Sequence, residues 1–332
     1  MKKILIIRFS SIGDIVLTTP VIRSLKEQLK CEIHTLTKKR YHNIYKDNKH
    51  IDRVYAFGKS TSEVYADLKK ENYDFVVDLQ KNFRSLKLTQ KLKVPHASFP
   101  KLNVEKLLLV NFKINKLPHK HIVERYFEAV KDLNVSIDKK GLEFYLPKKY
   151  VVKPSILNEK LEKGFISIVI GGQHFTKIMP PEKIASIASQ LSLPVVLLGG
   201  PEDKSRGEEV IKLSERNLII NACGQFSLNG SASLIKQSSL VITNDTGLMH
   251  IAAAFERPII SLWGNTIPEF GMYPYMPTKK DNFVISEVGG LKCRPCSKLG
   301  HEKCPKGHFK CMYKQDDNFI IKSASKLLYQ KK

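Results

Sequence analysis

Four short stretches of this chain hold residues whose types and spacing can do chemistry together. The first is Arg8-Phe9-Ser10-Ser11-Ile12-Gly13-Asp14. Gly13 permits a tight turn or the close approach of another backbone. Asp14 falls in the first turn of an expected helix, where the macrodipole favours a carboxylate. The same residue types also make an ordinary helix cap. The second stretch is Gly171-Gly172-Gln173-His174-Phe175-Thr176-Lys177. Glycines followed by a lysine suit an anion, because backbone N–H groups and a point charge converge on it. The Gly-Lys-Ser/Thr spacing of a P-loop is absent, and a plain Gly-rich loop has the same composition.

The third stretch runs from Thr243 through Asn244, Asp245, Thr246, Gly247, Leu248, Met249 and His250 to Ala254. Thr246 and Gly247 fall at a helix start, where backbone N–H groups lack intrahelical partners and attract phosphate. His250 lies one helical turn beyond Thr246, so both can face one ligand. The fourth stretch holds Cys293, Cys296, Cys304 and Cys311, with His301 and His308 between them. Four thiolates make a tetrahedral structural zinc site, and reduced packing cysteines fit the spacing too. A disulfide framework is not expected in a cytoplasmic protein. Cys31 and Cys223 stand alone beside apolar runs and read as buried, inert thiols.

The elements that must position these residues alternate in type. Lys3–Phe9, Glu32–Leu36, Val54–Phe57 and Phe75–Leu79 are short apolar runs. Between the first two, Ile15, Val16, Ile22, Leu25 and Leu29 recur at helical spacing, with Pro20 inside the pattern as a kink or split. A helix is expected over Ile122–Leu133. The rhythm breaks at Leu146–Pro154, which carries two prolines and reads as an interdomain linker. It restarts with Phe165–Ile170, Val195–Leu198, Leu218–Asn221, Leu240–Thr243 and Ile259–Trp263 as strands and Pro181–Leu191 as a helix. Asn318–Tyr329 closes the chain as an amphipathic helix. Unbroken apolar runs fit parallel strands buried on both faces. Ligands of such sheets bind beyond the carboxyl ends of the strands, and the first three motifs all follow strands.

The bulk properties bound the reading. A chain of 332 residues with 42% hydrophobic residues supports two domains. Its net charge of +23 suits nucleic acid, an anionic membrane surface or a phosphorylated substrate, or merely reflects solvated lysines. No apolar run approaches the roughly 18 residues that span a bilayer. The N-terminal apolar run breaks at Arg8 and is followed by Asp14, unlike a signal peptide, so a cytoplasmic location is expected.

The three strand-end motifs together carry a family likeness. Ile6–Pro20 resembles the opening of glycosyltransferase family 9, and Thr243–Ala254 resembles that family's donor-binding signature. Asp78-Leu79-Gln80-Lys81-Asn82-Phe83-Arg84-Ser85 resembles its mid-domain acceptor-side motif. The family contains the ADP-heptose:lipopolysaccharide heptosyltransferases, which are inverting, metal-independent enzymes of the GT-B type. The resemblance implies an α/β protein with two Rossmann-like, doubly wound domains facing a central cleft. Residues 1–150 would form the acceptor-side domain with the catalytic base. Residues 151–332 would form the nucleotide-sugar domain, with the Cys-rich segment and the C-terminal helix.

The implied reaction moves a heptose or related sugar from a nucleotide-diphosphate donor, ADP-heptose foremost, to a lipopolysaccharide core or lipid-linked glycan. By motif match, Asp14 is the general base. Lys177, Glu202, Asp245, Thr246, Gly247 and His250 are donor residues, Glu202 through the nucleoside ribose. Arg8, Ser10 and Arg84 face the acceptor. No cofactor is implied beyond the structural zinc reading, and no Asp-x-Asp metal anchor occurs. A phosphorylated, membrane-embedded acceptor would give the basic surface a purpose, as a peripheral contact with the inner face of the inner membrane. One departure concerns the loop before Lys177. The family often carries hydroxyl residues there, and here Gly172 and Gln173 precede it with only Thr176 adjacent. Two other readings stay open: a family 9 transferase with another donor or glycan acceptor, and a basic nucleotide- or RNA-binding module. Nucleic acid is not expected, since RNP, KH and finger patterns are missing.

Overall fold

The computed structural model describes residues 2–215 and 218–329. The chain divides into two compact units. The first comprises Met1–Leu102 and Lys120–Tyr145, and the second Asn103–His119 and Leu146–Lys332.

In the first unit the order is β1 (Lys3–Ile7), α1 (Ile12–Val16), α2 (Thr19–Leu29), β2 (Glu32–Lys38), α3 (His42–Tyr45), β3 (Arg53–Phe57), α4 (Tyr65–Lys70), β4 (Phe75–Asp78), α5 (Phe83–Leu92) and β5 (His96–Ser98). The five strands are parallel, in the order β3-β2-β1-β4-β5. Ile4, Leu5, Ile6 and Ile7 are fully buried, as a central strand covered on both faces must be. The expected helix after β1 is split: α1 ends at Val16 and Pro20 stands in the first turn of α2. Proline suits that position, where its missing N–H has no helical acceptor anyway.

The segment Asn103–Phe112 forms α6 and belongs to the second unit, where Leu109 packs with Ile267 and Phe270. A single domain cut near residue 150 therefore does not describe the packing. The chain returns to the first unit for α7 (Ile122–Phe127), followed by a 3-10 turn over Glu128–Leu133 where one continuous helix was expected.

In the second unit the order is β6 (Ile166–Val169), α8 (Pro181–Ser189), β7 (Val195–Leu198), α9 (Lys204–Leu213), β8 (Ile219–Asn221), α10 (Leu228–Gln237), β9 (Leu240–Asn244), α11 (Gly247–Ala254), β10 (Ile259–Trp263), β11 (Phe283–Glu287), α12 (Lys310–Tyr313) and α13 (Asp317–Tyr329). Six parallel strands lie in the order β11-β10-β9-β6-β7-β8. Both sheets have the doubly wound, Rossmann-like arrangement. The strand order reverses beside β1 in the first and beside β6 in the second, and such switch points are where open α/β sheets bind ligands.

Candidate active site

Register brings the first set of residues together. Ile7 pairs with Leu36 on one side and Asp78 on the other, so the loops after β1, β2 and β4 leave the same end of the sheet. The Arg8 Nη2 atom lies 2.6 Å from Asp14 Oδ1. The Ser11 N–H and hydroxyl both donate to Asp14 Oδ2, at 3.1 and 2.8 Å. Arg8 Nε donates to the Ser10 carbonyl at 2.8 Å, and Nη1 donates to the Leu79 carbonyl. Arg8 is buried and its guanidinium is engaged within its own unit, whereas the Asp14 side chain keeps 25% of its surface exposed. Burial opposes the charge of Arg8, yet the Asp14 carboxylate holds it above its ordinary value.

The loop after β4 is fixed by its own polar groups. Asp78 Oδ1 accepts from the Gln80 and Lys81 N–H groups, and Oδ2 accepts from the Ser85 hydroxyl at 2.7 Å. The Gln80 side chain accepts from the Phe9 N–H at 2.9 Å and ties this loop to the one after β1. Asn82 caps α5, which leaves Arg84 exposed in its first turn. Lys38, at the end of β2, is pushed below its ordinary value by burial and then by the charges of Arg84 and Arg40. Lys38 and Arg40 thus join Arg84 in a cationic group at the carboxyl ends of the strands. The sequence motifs passed over these two residues, and their only signal was position at or just beyond the end of a strand.

In the second unit Val169 pairs with Thr243, so the loops after β6 and β9 also emerge together. Lys177 Nζ lies 2.5 Å from Asp245 Oδ2, and the Thr266 hydroxyl donates to the same oxygen at 3.0 Å. Thr246 is the N-cap residue of α11, Gly247 is its first residue, and His250 is buried in its first turn. Glu202 is exposed after β7, while its neighbour Asp203 is buried, accepts from the Gly200 N–H at 2.9 Å and pairs with Arg206. The glycines make room for this turn. A Cβ on Gly171 would come 2.3 Å from Asp203 Oδ2, and one on Gly224 would come 2.8 Å from the Pro201 Cα.

Three side chains here have buried polar atoms with no hydrogen-bond partner among the described residues: Asn244 Oδ1, Thr246 Oγ1 and both amide atoms of Asn265. Buried polar groups are rarely left so: Thr246 Oγ1 and Asn265 Nδ2 can donate to an oxyanion, while the Asn244 and Asn265 Oδ1 atoms call for a hydroxyl or N–H donor. Asn265 and Thr266, just beyond β10, were not foreseen, because no motif distinguishes them.

The Cys-rich segment is docked against the same loops. Thr176 exchanges hydrogen bonds with the His301 backbone, Cys296 N–H donates to the Asn265 carbonyl, and Arg294 donates to the Thr266 carbonyl. All four cysteines are free thiols, and no three of their sulfurs lie within 4.8 Å of one another. Burial, then the neighbouring Cys293, pushes the Cys296 thiol up to about 11, and burial pushes Cys311 up to about 12. As placed, the four sulfurs do not form a closed tetrahedral ligand set.

Two doubly wound sheets, each with polar loops gathered at its switch point, are the architecture of the GT-B fold. A glycosyltransferase family 9 structure from Veillonella parvula matches with a TM-score of 0.77 at 23% identity, covering 99% of this chain and 98% of that one. The Escherichia coli ADP-heptose lipopolysaccharide heptosyltransferase II matches with a TM-score of 0.71 at 19% identity, covering 99% of each. The lipopolysaccharide heptosyltransferase 1 of Campylobacter coli is 29% identical over 290 residues, 80% of this chain and 84% of that one. The chain belongs to glycosyltransferase family 9 (heptosyltransferase), whose model matches residues 62–303.

Proposed function

We propose that this enzyme transfers a heptose, with inversion and without a metal, from ADP-heptose to a phosphorylated lipopolysaccharide core. The observation that carries the donor half is the group around Asp245. Lys177 and Thr266 meet on its carboxylate, and Thr246, Asn244 and Asn265 hold unpartnered buried polar atoms beside it. A nucleoside diphosphate would draw Lys177 onto its phosphates and accept from Thr246, Asn265 and the N–H groups that open α11. Glu202 would take the ribose hydroxyls, and His250 would line the same site. The relatives, which include an ADP-heptose heptosyltransferase and a lipopolysaccharide heptosyltransferase, support this choice of donor and acceptor.

In the first unit Asp14 is the general base. It takes the proton of the acceptor hydroxyl as that oxygen attacks the anomeric carbon, and the diphosphate leaves from the opposite face. Arg8 acts through Asp14 as a positioning residue, because each of its three nitrogens already meets a protein acceptor. Arg84, with Lys38 and Arg40, suits acceptor phosphates, and Ser10 suits an acceptor hydroxyl. Charge stabilisation by lysine and helix amides needs no metal at the diphosphate. A structural zinc at Cys293, Cys296, Cys304 and Cys311 rests on spacing alone, and metal analysis giving well under one equivalent removes it.

The test pairs binding with turnover. ADP and ADP-heptose should raise the melting temperature more than GDP, UDP or CDP. Asp14→Ala should keep that shift and lose transfer by roughly 10²–10⁴-fold. Preference for another nucleotide replaces the donor. Transfer that survives Asp14→Ala removes the base.

A further inference from the structure

Two tyrosines that take no part in the proposed reaction back the Arg8–Asp14 pair. Tyr45, on α3, and Tyr126, on α7, are fully buried. Both lie within electrostatic reach of Arg8 and Asp14. They differ in what their hydroxyls do. Tyr45 Oη lies 2.8 Å from Thr18 Oγ1, and Thr18 spends its own proton on the Ile15 carbonyl at 2.7 Å. Tyr45 is therefore the donor in that pair, and its hydroxyl is committed. Tyr126 Oη closes no hydrogen bond among the described residues, although Arg8 approaches it. The Tyr126 ring meets Phe99 edge to face at 4.7 Å between centroids, and the Arg8 guanidinium carbon stands 5.9 Å from its centre. Burial pushes the phenol up, Arg8 pulls it down and Asp14 pushes it up again, so the hydroxyl feels both charges. A buried hydroxyl left so costs stability, which calls for a state in which it is used.

That state follows from the role of Asp14. Arg8 is 7% exposed, and the Asp14 carboxylate balances its charge. When Asp14 takes the proton of the acceptor hydroxyl it becomes neutral, and the buried guanidinium loses that balance. A buried cation without a partner is costly, so the pair by itself resists the proton transfer. Arg8 Nη2 carries a second N–H besides the one aimed at Asp14, and Tyr126 Oη has lone pairs to accept it. The ring face adds cation–π attraction at this range. We propose that Tyr126 is a positioning residue that takes over the Arg8 guanidinium while Asp14 holds the acceptor's proton. The one proton that changes hands goes from the acceptor to Asp14, and Arg8 and Tyr126 keep theirs. The charged and titratable groups facing this hydroxyl are Arg8 from the loop after β1, Asp14 on α1, Tyr45 on α3 and Arg125 beside it on α7. The inference rests on Asp14 as the general base and names what lets that base work against a buried cation.

The experiment is a double-variant cycle on the full-length protein, with melting temperature at neutral pH as its first readout. Asp14→Asn keeps the shape of the carboxyl group and stands in for its uncharged state. On the wild-type background Tyr126→Phe should hold or raise the melting temperature, because the lost hydroxyl had no partner. On the Asp14→Asn background the same change should lower it by about 2–4 °C, as Arg8 loses its replacement partner. Equal loss on both backgrounds makes Tyr126 a packing group and overturns the proposal, as does no loss on either. Transfer from ADP-heptose is the second readout. Tyr126→Phe should lower kcat roughly 10-fold with donor KM unchanged. The acid limb of its pH–rate profile should move to lower pH, because protonated Asp14 has lost support. That direction is opposite to the effect of removing the Arg8 charge, and an unmoved limb overturns the proposal. Transfer that survives Asp14→Asn strikes the base reading instead, while the melting cycle still judges the contact between Tyr126 and Arg8.

Discussion

Arg8 Nη2 lies 2.6 Å from Asp14 Oδ1, while Ser11 fixes the other carboxylate oxygen through two donors. The carboxylate is thus oriented from both sides before any substrate arrives. A positive partner also keeps a carboxylate ionised at the expense of its basicity. Replacing Arg8 by Gln should lower kcat by roughly 10²-fold with donor KM little changed. The acid limb of the pH–rate profile should move to higher pH, because loss of a neighbouring cation raises the carboxylate's pKa. A fall in kcat with an unmoved acid limb would reduce Arg8 to a structural role. Arg8→Lys should restore the limb toward its original position and only part of the rate, since lysine cannot reproduce the fork that also reaches Leu79 and Ser10.

The Lys177–Asp245 pair is half of a shared site, with the Thr266 hydroxyl on the same oxygen. Lys177→Ala should weaken ADP binding by roughly 10- to 100-fold, the loss of a charge-assisted contact. Thr266→Val should weaken it by only a few-fold, through a less constrained Asp245. Calorimetric titration with ADP checks both. Equal losses, or a larger one for Thr266→Val, would contradict this ordering.

Gly224 has φ near +73°, and a Cβ there would meet the backbone of Pro201. Gly224→Ala should therefore destabilise the protein by about 1–3 kcal/mol. It should also shift the turn that carries Glu202, so nucleoside affinity falls along with the melting temperature. A variant as stable as wild type would show that the turn relaxes freely.

Glu71 is held down to about 2 by the Lys3 ammonium first and the Tyr55 hydroxyl second, against an ordinary value of 4.5. Its contribution to stability is fully present above about 4.5 and is lost as pH falls toward about 2. Glu71→Gln should lower the melting temperature at neutral pH and flatten its fall across that acid window. Parallel wild-type and variant curves would assign the acid loss elsewhere.

The His34 cluster at the other end of the first sheet, with Glu32, Glu71 and Tyr73, had no motif to announce it. Glu32 and His34 lie on β2 while Glu71 and Tyr73 lead into β4, and only parallel pairing on the two sides of β1 brings these segments together. Lys38 and Arg40 escaped notice for the same reason, as did Asn265 and Thr266 beside Asp245. The edge strands β5 and β11 were also missed: β5 is three residues long, and Phe283–Glu287 mixes polar with apolar positions.

By itself the sequence determined the alternation of elements, because central parallel strands need unbroken apolar runs and their covering helices need a periodic face. It also marked the loops after β1, β4, β6 and β9, where local turn and capping chemistry writes itself into glycines, serines and asparagines. Tertiary structure decided what those loops hold. Pairing register set Lys177 on Asp245, and the loop after β1 folded Asp14 back onto Arg8. Tertiary structure brought Cys296 beside Cys293 without setting any three of the four sulfurs within 4.8 Å of one another. It also moved Asn103–His119 into the second unit, because α6 finds its apolar partners at Ile267 and Phe270, far along the chain. Contacts of that kind depend on which surfaces meet after the chain has folded, and no local pattern records them.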